Sequence, residues 1–210
     1  MTEQFQMQSV PLRLGDAAPD FEARSTHGPI KLSSFRGRWL IFFSHPADFT
    51  PVCTTEFVAL ARHADKFDTL DCALLGLSVD SLHSHLAWIR AIEDRFGVNI
   101  PFPIIEDPSM AIGRAFGMID ENSTDSATMR TSYFIDPKGI IRATTSYPHN
   151  VGRSVEEMIR MVSALQMAEN KNILTPEGWQ PGDDVLSLPP LTSTEARNEE
   201  DWLCHSIKAP

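Results

Sequence analysis

The chain has 210 residues, enough for one sizeable core with room for a smaller appendage. Hydrophobic residues make up 42% and charged residues 22%, the balance of a soluble globular protein. Lys plus Arg number 18 against 28 Asp plus Glu, a net charge of −10, which argues against a nucleic-acid backbone or an anionic membrane surface as partner.

Residues 1–10 hold no basic residue and no apolar run, so neither a secretory nor a transit peptide is expected. No stretch approaches the length of a membrane span. The first apolar run, WLIFF at 39–43, predicts a buried strand, and 52–67 predicts a helix. A second buried strand is expected at 73–79 (ALLGLSV) and a helix at 81–96, with Leu82, Leu86, Ile89 and Phe96 on its apolar face. A short strand at 103–105 and a helix opened by Pro108 over 108–116 follow. Segments 131–135 and 140–145 flank Asp136-Pro137-Lys138-Gly139, a turn signal, so they predict a hairpin. Ser154, with Glu157 three residues on, reads as a capping box for a helix striped by Val155, Met158, Ile159, Val162 and Leu165. Alternating strands and helices imply an α/β domain over residues 1–170. Residues 171–210 are Pro-rich with little periodicity and read as an arm packing on that domain or on a second subunit.

The cysteines are Cys53, Cys72 and Cys204, an odd and sparse set that is no disulfide framework. It suggests a reducing, cytoplasmic compartment. Cys53 falls in the first turn of a predicted helix just past a buried strand, where unpaired N–H groups and the helix dipole favour an anion. Such positions lower a cysteine pKa from about 8.5 to roughly 3.5–7.5. Thr50, three residues earlier, offers a hydroxyl on the same side, either as a helix cap or toward the sulfur or an incoming oxygen. Pro46 shields the loop without an unpaired N–H. Attack on a peroxide moves negative charge from sulfur to oxygen, so fixed donors along that line are needed, and an arginine suits. Arg130 stands at the start of a predicted strand, but spacing alone does not bring it to Cys53.

The run SHPADFTPVCTTEF, with Pro46, Thr50 and Cys53, resembles the Pro-x-x-x-Thr-x-x-Cys active-site motif of peroxiredoxins and is similar to the 1-Cys (peroxiredoxin 6) subfamily of bacterial or archaeal type. HLAWIRAIE, FPIIEDPS, RTSYFIDPKGIIR, VGRSVEE and LTPEGWQPGDDV extend the resemblance over nearly the whole chain, from about residue 14 to 188. It implies a thioredoxin fold, a central mixed sheet flanked by helices, with a C-terminal oligomerisation arm. It also implies an antioxidant thiol peroxidase without a cofactor, reducing hydrogen peroxide and organic hydroperoxides. Cys53 would pass through a sulfenic acid, with Pro46, Thr50 and the peroxide-binding Arg130 beside it. Glu56 and Arg153 would orient that arginine, and His45 would lie near the sulfur. Reduction would come from thioredoxin, glutathione or a small thiol, and the assembly would be a homodimer, with a decamer left open. A holdase chaperone or redox-sensing oligomer on the same scaffold is the alternative.

Two departures from the family are visible. The place of the usual resolving cysteine reads Leu174-Thr175-Pro176. The lipase serine of some relatives is missing from Phe35-Arg36-Gly37-Arg38-Trp39, and Ser33 replaces the matching histidine, so lipase activity is not expected. Cys204 is a candidate resolving thiol, slowed by Glu199, Glu200 and Asp201. Cys72 reads as a small buried hydrophobe. His83 and His85 point apart on a helix, and no ligand pattern completes a metal site, so no metal is expected and both histidines are read as exposed.

Overall fold

The computed structural model describes residues 12–119, 125–171, 173–198 and 202–209; residues 1–10 and the acidic Glu199, Glu200 and Asp201 lie outside these. By compactness the chain divides into two units, Met1–Val155 and Glu156–Pro210.

The first unit is built on seven strands: β1 (Glu22–Ser25), β2 (Gly28–Lys31), β3 (Trp39–Ser44), β4 (Cys72–Ser78), β5 (Ile104–Glu106), β6 (Arg130–Ile135) and β7 (Ile141–Tyr147). Their order across the sheet is β2-β1-β5-β4-β3-β6-β7. The centre, β3–β4–β5, is parallel, and the flanking pairings are antiparallel. This is the mixed, thioredoxin-type sheet that was expected, flanked by α1 (Pro51–Arg62), α2 (Ala64–Thr69), α3 (Leu82–Phe96) and α4 (Ala111–Ala115).

WLIFF is apolar throughout because both faces of β3 are covered. Leu40 and Phe42 join a cluster with Leu75, Phe116 and Tyr133. Phe43 points to the opposite side, where it meets Phe57 of α1 at 5.6 Å and Phe102 at 5.9 Å between ring centroids. Gly76 of β4 keeps that second face close-packed: a Cβ there would stand 3.4 Å from the Phe57 ring.

Three elements depart from the sequence expectation. The single helix over 52–67 is two helices broken at His63, whose Nδ1 bonds the Ala59 carbonyl at 2.9 Å and gives the backbone a local alternative to continuing. The helix over 108–116 shortens to α4, because Asp107 accepts the Gly113 N–H at 2.7 Å while Met110 takes a left-handed φ of 61°. On α3 the buried residues are His85, Trp88 and Ile92, whereas Leu86 is 46% and Phe96 41% exposed. The buried face is rotated from the stripe that the apolar period marks, toward His85, Trp88 and Ile92.

The second unit holds most of α5 (Val155–Lys171), a two-stranded ribbon of β8 (Val185–Leu186) and β9 (Ser206–Ile207), and α6 (Ser193–Asn198). Residues 171–210 are thus less irregular than their composition suggests. Trp179, Ala164 and Val185 form a small core, joined by Met167, Ile173, Ile207 and Ala209. Among the described residues no helix is long and apolar enough to cross a membrane.

Candidate active site

The register of β3 against β6 decides what meets what. Phe43 pairs with Ser132, so Arg130, two residues earlier on the antiparallel strand, lies beside the end of β3, where the chain turns into α1. Two bonds staple this corner. Ser44 Oγ donates to the Met129 carbonyl at 2.6 Å, and Thr128 Oγ1 to the His45 carbonyl at 2.7 Å.

Cys53, the third residue of α1, is fully buried. Arg130 Nη1 donates to its Sγ at 3.3 Å and to Glu56 Oε2 at 2.8 Å. Nε and Nη2 of the same guanidinium both reach the His149 carbonyl, at 3.0 and 2.8 Å. A fixed positive charge therefore rests on the sulfur, held in place from two other sides.

Glu56 is filled to capacity. Oε1 accepts from the backbone N–H and Nε of Arg153, at 2.8 and 3.0 Å. Oε2 accepts from Arg153 Nη2 at 2.8 Å and from Arg130 Nη1. Burial by itself would raise this carboxyl's pKa, but the hydrogen bonds and charge of Arg153, helped by the charge of Arg130, hold it below the ordinary range. Arg153 is anchored in turn on Ser132 Oγ and the Thr131 carbonyl, and lies over the Phe43 ring at 5.1 Å. Glu56 and Arg153 thus orient Arg130 through Glu56 alone.

Thr50 is the N-cap residue, yet its hydroxyl makes no capping bond. It donates to the Ala47 carbonyl at 2.9 Å. With its proton committed there, Oγ1 offers lone pairs, not a hydrogen, to anything arriving at the site. Pro46 is buried in the same loop.

His45 is fully buried, and its polar partner is Asp48, at 2.9 Å from Nε2. His85 is a correction to the sequence reading: it is fully buried, not exposed. Its Nδ1 lies 2.8 Å from Asp48 Oδ2 and its Nε2 3.2 Å from the Ile105 carbonyl. These bonds let an imidazole sit in the core without leaving a polar atom bare. His83 is exposed. His45, Asp48 and His85 bring ligand-type atoms within 4.8 Å of one another. A metal would have to displace the protons these atoms already share. The roles of Asp48, His85 and the His149 carbonyl were missed by sequence reasoning. The i, i+2 histidine spacing pointed away from His85, and a backbone acceptor leaves no trace in sequence.

Of the other thiols, Cys72 is buried and Cys204 exposed. Burial pushes the Cys72 thiol up to about 12. Iodoacetamide on the folded protein near pH 7.5 is expected to label Cys204 readily and leave Cys72 unmodified until denaturant is added, as peptide mass mapping would show.

A cysteine sulfur at the start of a helix, on a thioredoxin-type sheet and under a buried arginine, is an arrangement suited to thiol-dependent redox chemistry. Comparison with known proteins narrows this. Residues 14–144 match the AhpC/TSA family and residues 164–201 the C-terminal domain of 1-Cys peroxiredoxin. A peroxiredoxin of Thermoplasma volcanium is 47% identical over 183 residues, covering 87% of this chain and 89% of the relative. One from Aquifex aeolicus is 45% identical over 205 residues, 91% and 92% of the two chains. Among solved structures, a yeast mitochondrial 1-Cys peroxiredoxin superposes with a TM-score of 0.85 at 37% identity, covering 95% of this chain and all of that one. A Cys→Ser mutant of the peroxiredoxin 6 of Arenicola marina gives 0.84 at 30% identity, covering 95% and 99%. The chain belongs to the peroxiredoxin family, and it is a thiol-dependent peroxidase with the C-terminal domain of the 1-Cys type.

Proposed function

We propose that Cys53 attacks hydrogen peroxide and organic hydroperoxides and is converted to a sulfenic acid. The observation that carries this is the 3.3 Å contact between Arg130 Nη1 and the Cys53 sulfur. The thiolate forms an S–O bond to one peroxide oxygen as the O–O bond breaks. The other oxygen leaves as hydroxide or alkoxide and takes a proton from water. Arg130, already aimed at the sulfur, follows the negative charge onto the departing oxygen, while Thr50 accepts a hydrogen bond from the peroxide hydroxyl. A thiol then condenses with the sulfenic acid, releasing water, and a second thiol reduces the resulting disulfide. Thioredoxin, glutathione and small thiols all fit this step.

Residues 171–210 are read as a dimerisation arm, and a reducing cytoplasm suits the free cysteines. The comparisons lend no support to the holdase or redox-sensing alternative. The deciding experiment is non-reducing mass spectrometry after one equivalent of peroxide, with a sulfenic-acid trap present. The expected product is a trapped adduct on Cys53. A Cys53–Cys204 disulfide would make the cycle a two-cysteine one, and no modification of Cys53 at all would overturn the reading.

A further inference from the structure

The hydrogen bonds around Asp48 fix where protons reside. A backbone carbonyl only accepts, so the bond from His85 Nε2 to the Ile105 oxygen requires a proton on Nε2. The other nitrogen of His85 faces Asp48 Oδ2 at 2.8 Å. Asp48 receives a ring nitrogen on each oxygen, and its own backbone N–H donates to Asp80 Oδ2 at 2.9 Å. Burial alone would raise the Asp48 carboxyl, but the bonds and charges of both histidines hold it well below the ordinary carboxylate range. Asp48 therefore lies between two buried imidazoles, one on each of its carboxylate oxygens.

His45 is placed differently. Its Nε2 donates to Asp48 Oδ1, and its Nδ1 is a buried atom with no hydrogen-bond partner among the described residues. Burial, and the Coulombic effect of His85, disfavour a second proton there, against the pull of Asp48 and Asp80. The ring stacks on Trp88 at 5.2 Å and meets Phe57 at 4.8 Å. Phe57 lies four residues beyond Cys53, on the same face of α1, and Trp88 Nε1 reaches Thr54 Oγ1, next to Cys53. The His45 ring is thus packed against the part of α1 that carries the sulfur.

We propose that Asp48 and His85 are positioning residues for the peroxidase: Asp48, tied on its other oxygen to His85, holds His45 as the Nε2–H tautomer, keeping Nδ1 as a hydrogen-bond acceptor for the O–H group that reacts at Cys53. This rests on Cys53 being the attacked and oxidised sulfur. It assigns chemistry to a carboxylate and a histidine that touch neither sulfur nor substrate. The charged groups facing the pair are Asp48 in the loop before α1, Asp80 after β4, and Glu106 of β5, itself tied to Arg24 of β1 and to the Leu82 N–H. On the α1 side the charged groups are Glu56 and its two arginines, with the titratable Cys53 beside Arg130.

Two substitutions and one direct observation test it. In Asp48→Asn the amide N–H₂ donates to His45 Nε2, which drives the ring to the Nδ1–H tautomer. The single-turnover oxidation of Cys53 is expected to slow by roughly 10²–10⁴-fold, the scale of a mis-set tautomer. His85→Gln keeps a donor toward Asp48 but removes the Coulombic opposition to protonation of His45. Its acid limb is expected to move to higher pH by on the order of one unit, with the rate recovering in alkaline buffer. A merely structural pair would lower the rate by one factor at every pH. If both folded variants keep the rate and pH profile of the unsubstituted protein, the proposal falls.

Should the variants not fold, ¹⁵N NMR of histidine-labelled unsubstituted protein decides. A bare Nδ1 on His45 with a proton on Nε2 supports the assignment, and a proton on His45 Nδ1 overturns it. Cys53→Ser run in the same assay separates the two levels. Turnover by that variant would remove the underlying reading. Its silence beside unchanged Asp48 and His85 variants would remove only this proposal.

Discussion

Cys53→Ser is expected to bring hydroperoxide consumption down to the uncatalysed background, a fall of more than about 10³-fold. The substitution is nearly isosteric, and Arg130 still has an oxygen to donate to, so the site geometry survives. What disappears is the polarisable sulfur, since a serine hydroxyl, about five or more pKa units less acidic than a thiol, stays protonated at neutral pH and is a poor nucleophile. Cys72→Ser is the matched control. That residue sits at the start of β4 with its thiol bonded locally to the Ala73 carbonyl at 3.6 Å, and its loss leaves the rate unchanged. Peroxide consumption with excess dithiol, followed for both variants, is the measurement. Undiminished turnover by Cys53→Ser would remove the sulfur from the mechanism. Cys204→Ser in the same assay reports on recycling: a changed dependence on added thiol would give Cys204 a part in resolution, and an unchanged one would leave that step to external thiol.

The second large effect is on stability. Glu56→Ala leaves two buried guanidinium groups, those of Arg130 and Arg153, without their carboxylate. Breaking a buried pair from one side costs about 3–5 kcal/mol, because the surviving charge is uncompensated. A matching drop in the urea midpoint is expected, with Cys53 oxidation slowed further than the remaining folded fraction explains. The pH dependence has a definite sign. The folded-state pKa of Glu56 lies below its ordinary value of 4.5, so its contribution is complete above that value and is lost as the pH falls through the folded pKa. Acid unfolding of the unsubstituted protein below about pH 4.5 is expected to be steeper than that of Glu56→Gln. Equal slopes would show that other carboxylates, Asp48 first among them, carry the acid sensitivity.

The parts of the site that lie close together in the chain were legible in the sequence. Pro46, Thr50 and Cys53 fall within eight residues, and a strand end, a proline and a helix start suffice to place a sulfur in a first turn. Arg130 was different: local pattern put it at a strand start and no nearer, and only resemblance to a family gave it a role. Its contact depends on the β3–β6 register, which is a pairing between segments and not a property of either. His85 was misread for a related reason. The rule that histidines on a helix face outward holds unless two acceptors wait inside, and here one comes from the loop before α1 and the other from the backbone of β5. The β1–β2 hairpin, two strands of four residues each, carried too little periodicity to be read at all.

The spacing of the partners around Glu56 also bears on newly made protein. Arg130 is 74 residues from it along the chain and Arg153 is 97, and neither arrives until β6 has paired with β3. A nascent or partly unfolded polypeptide therefore carries only an ordinary cysteine at position 53. The same long-range contacts that hold the fold together bring Arg130 to the sulfur, so an incomplete chain meets oxidant without the donor that the folded site sets beside Cys53.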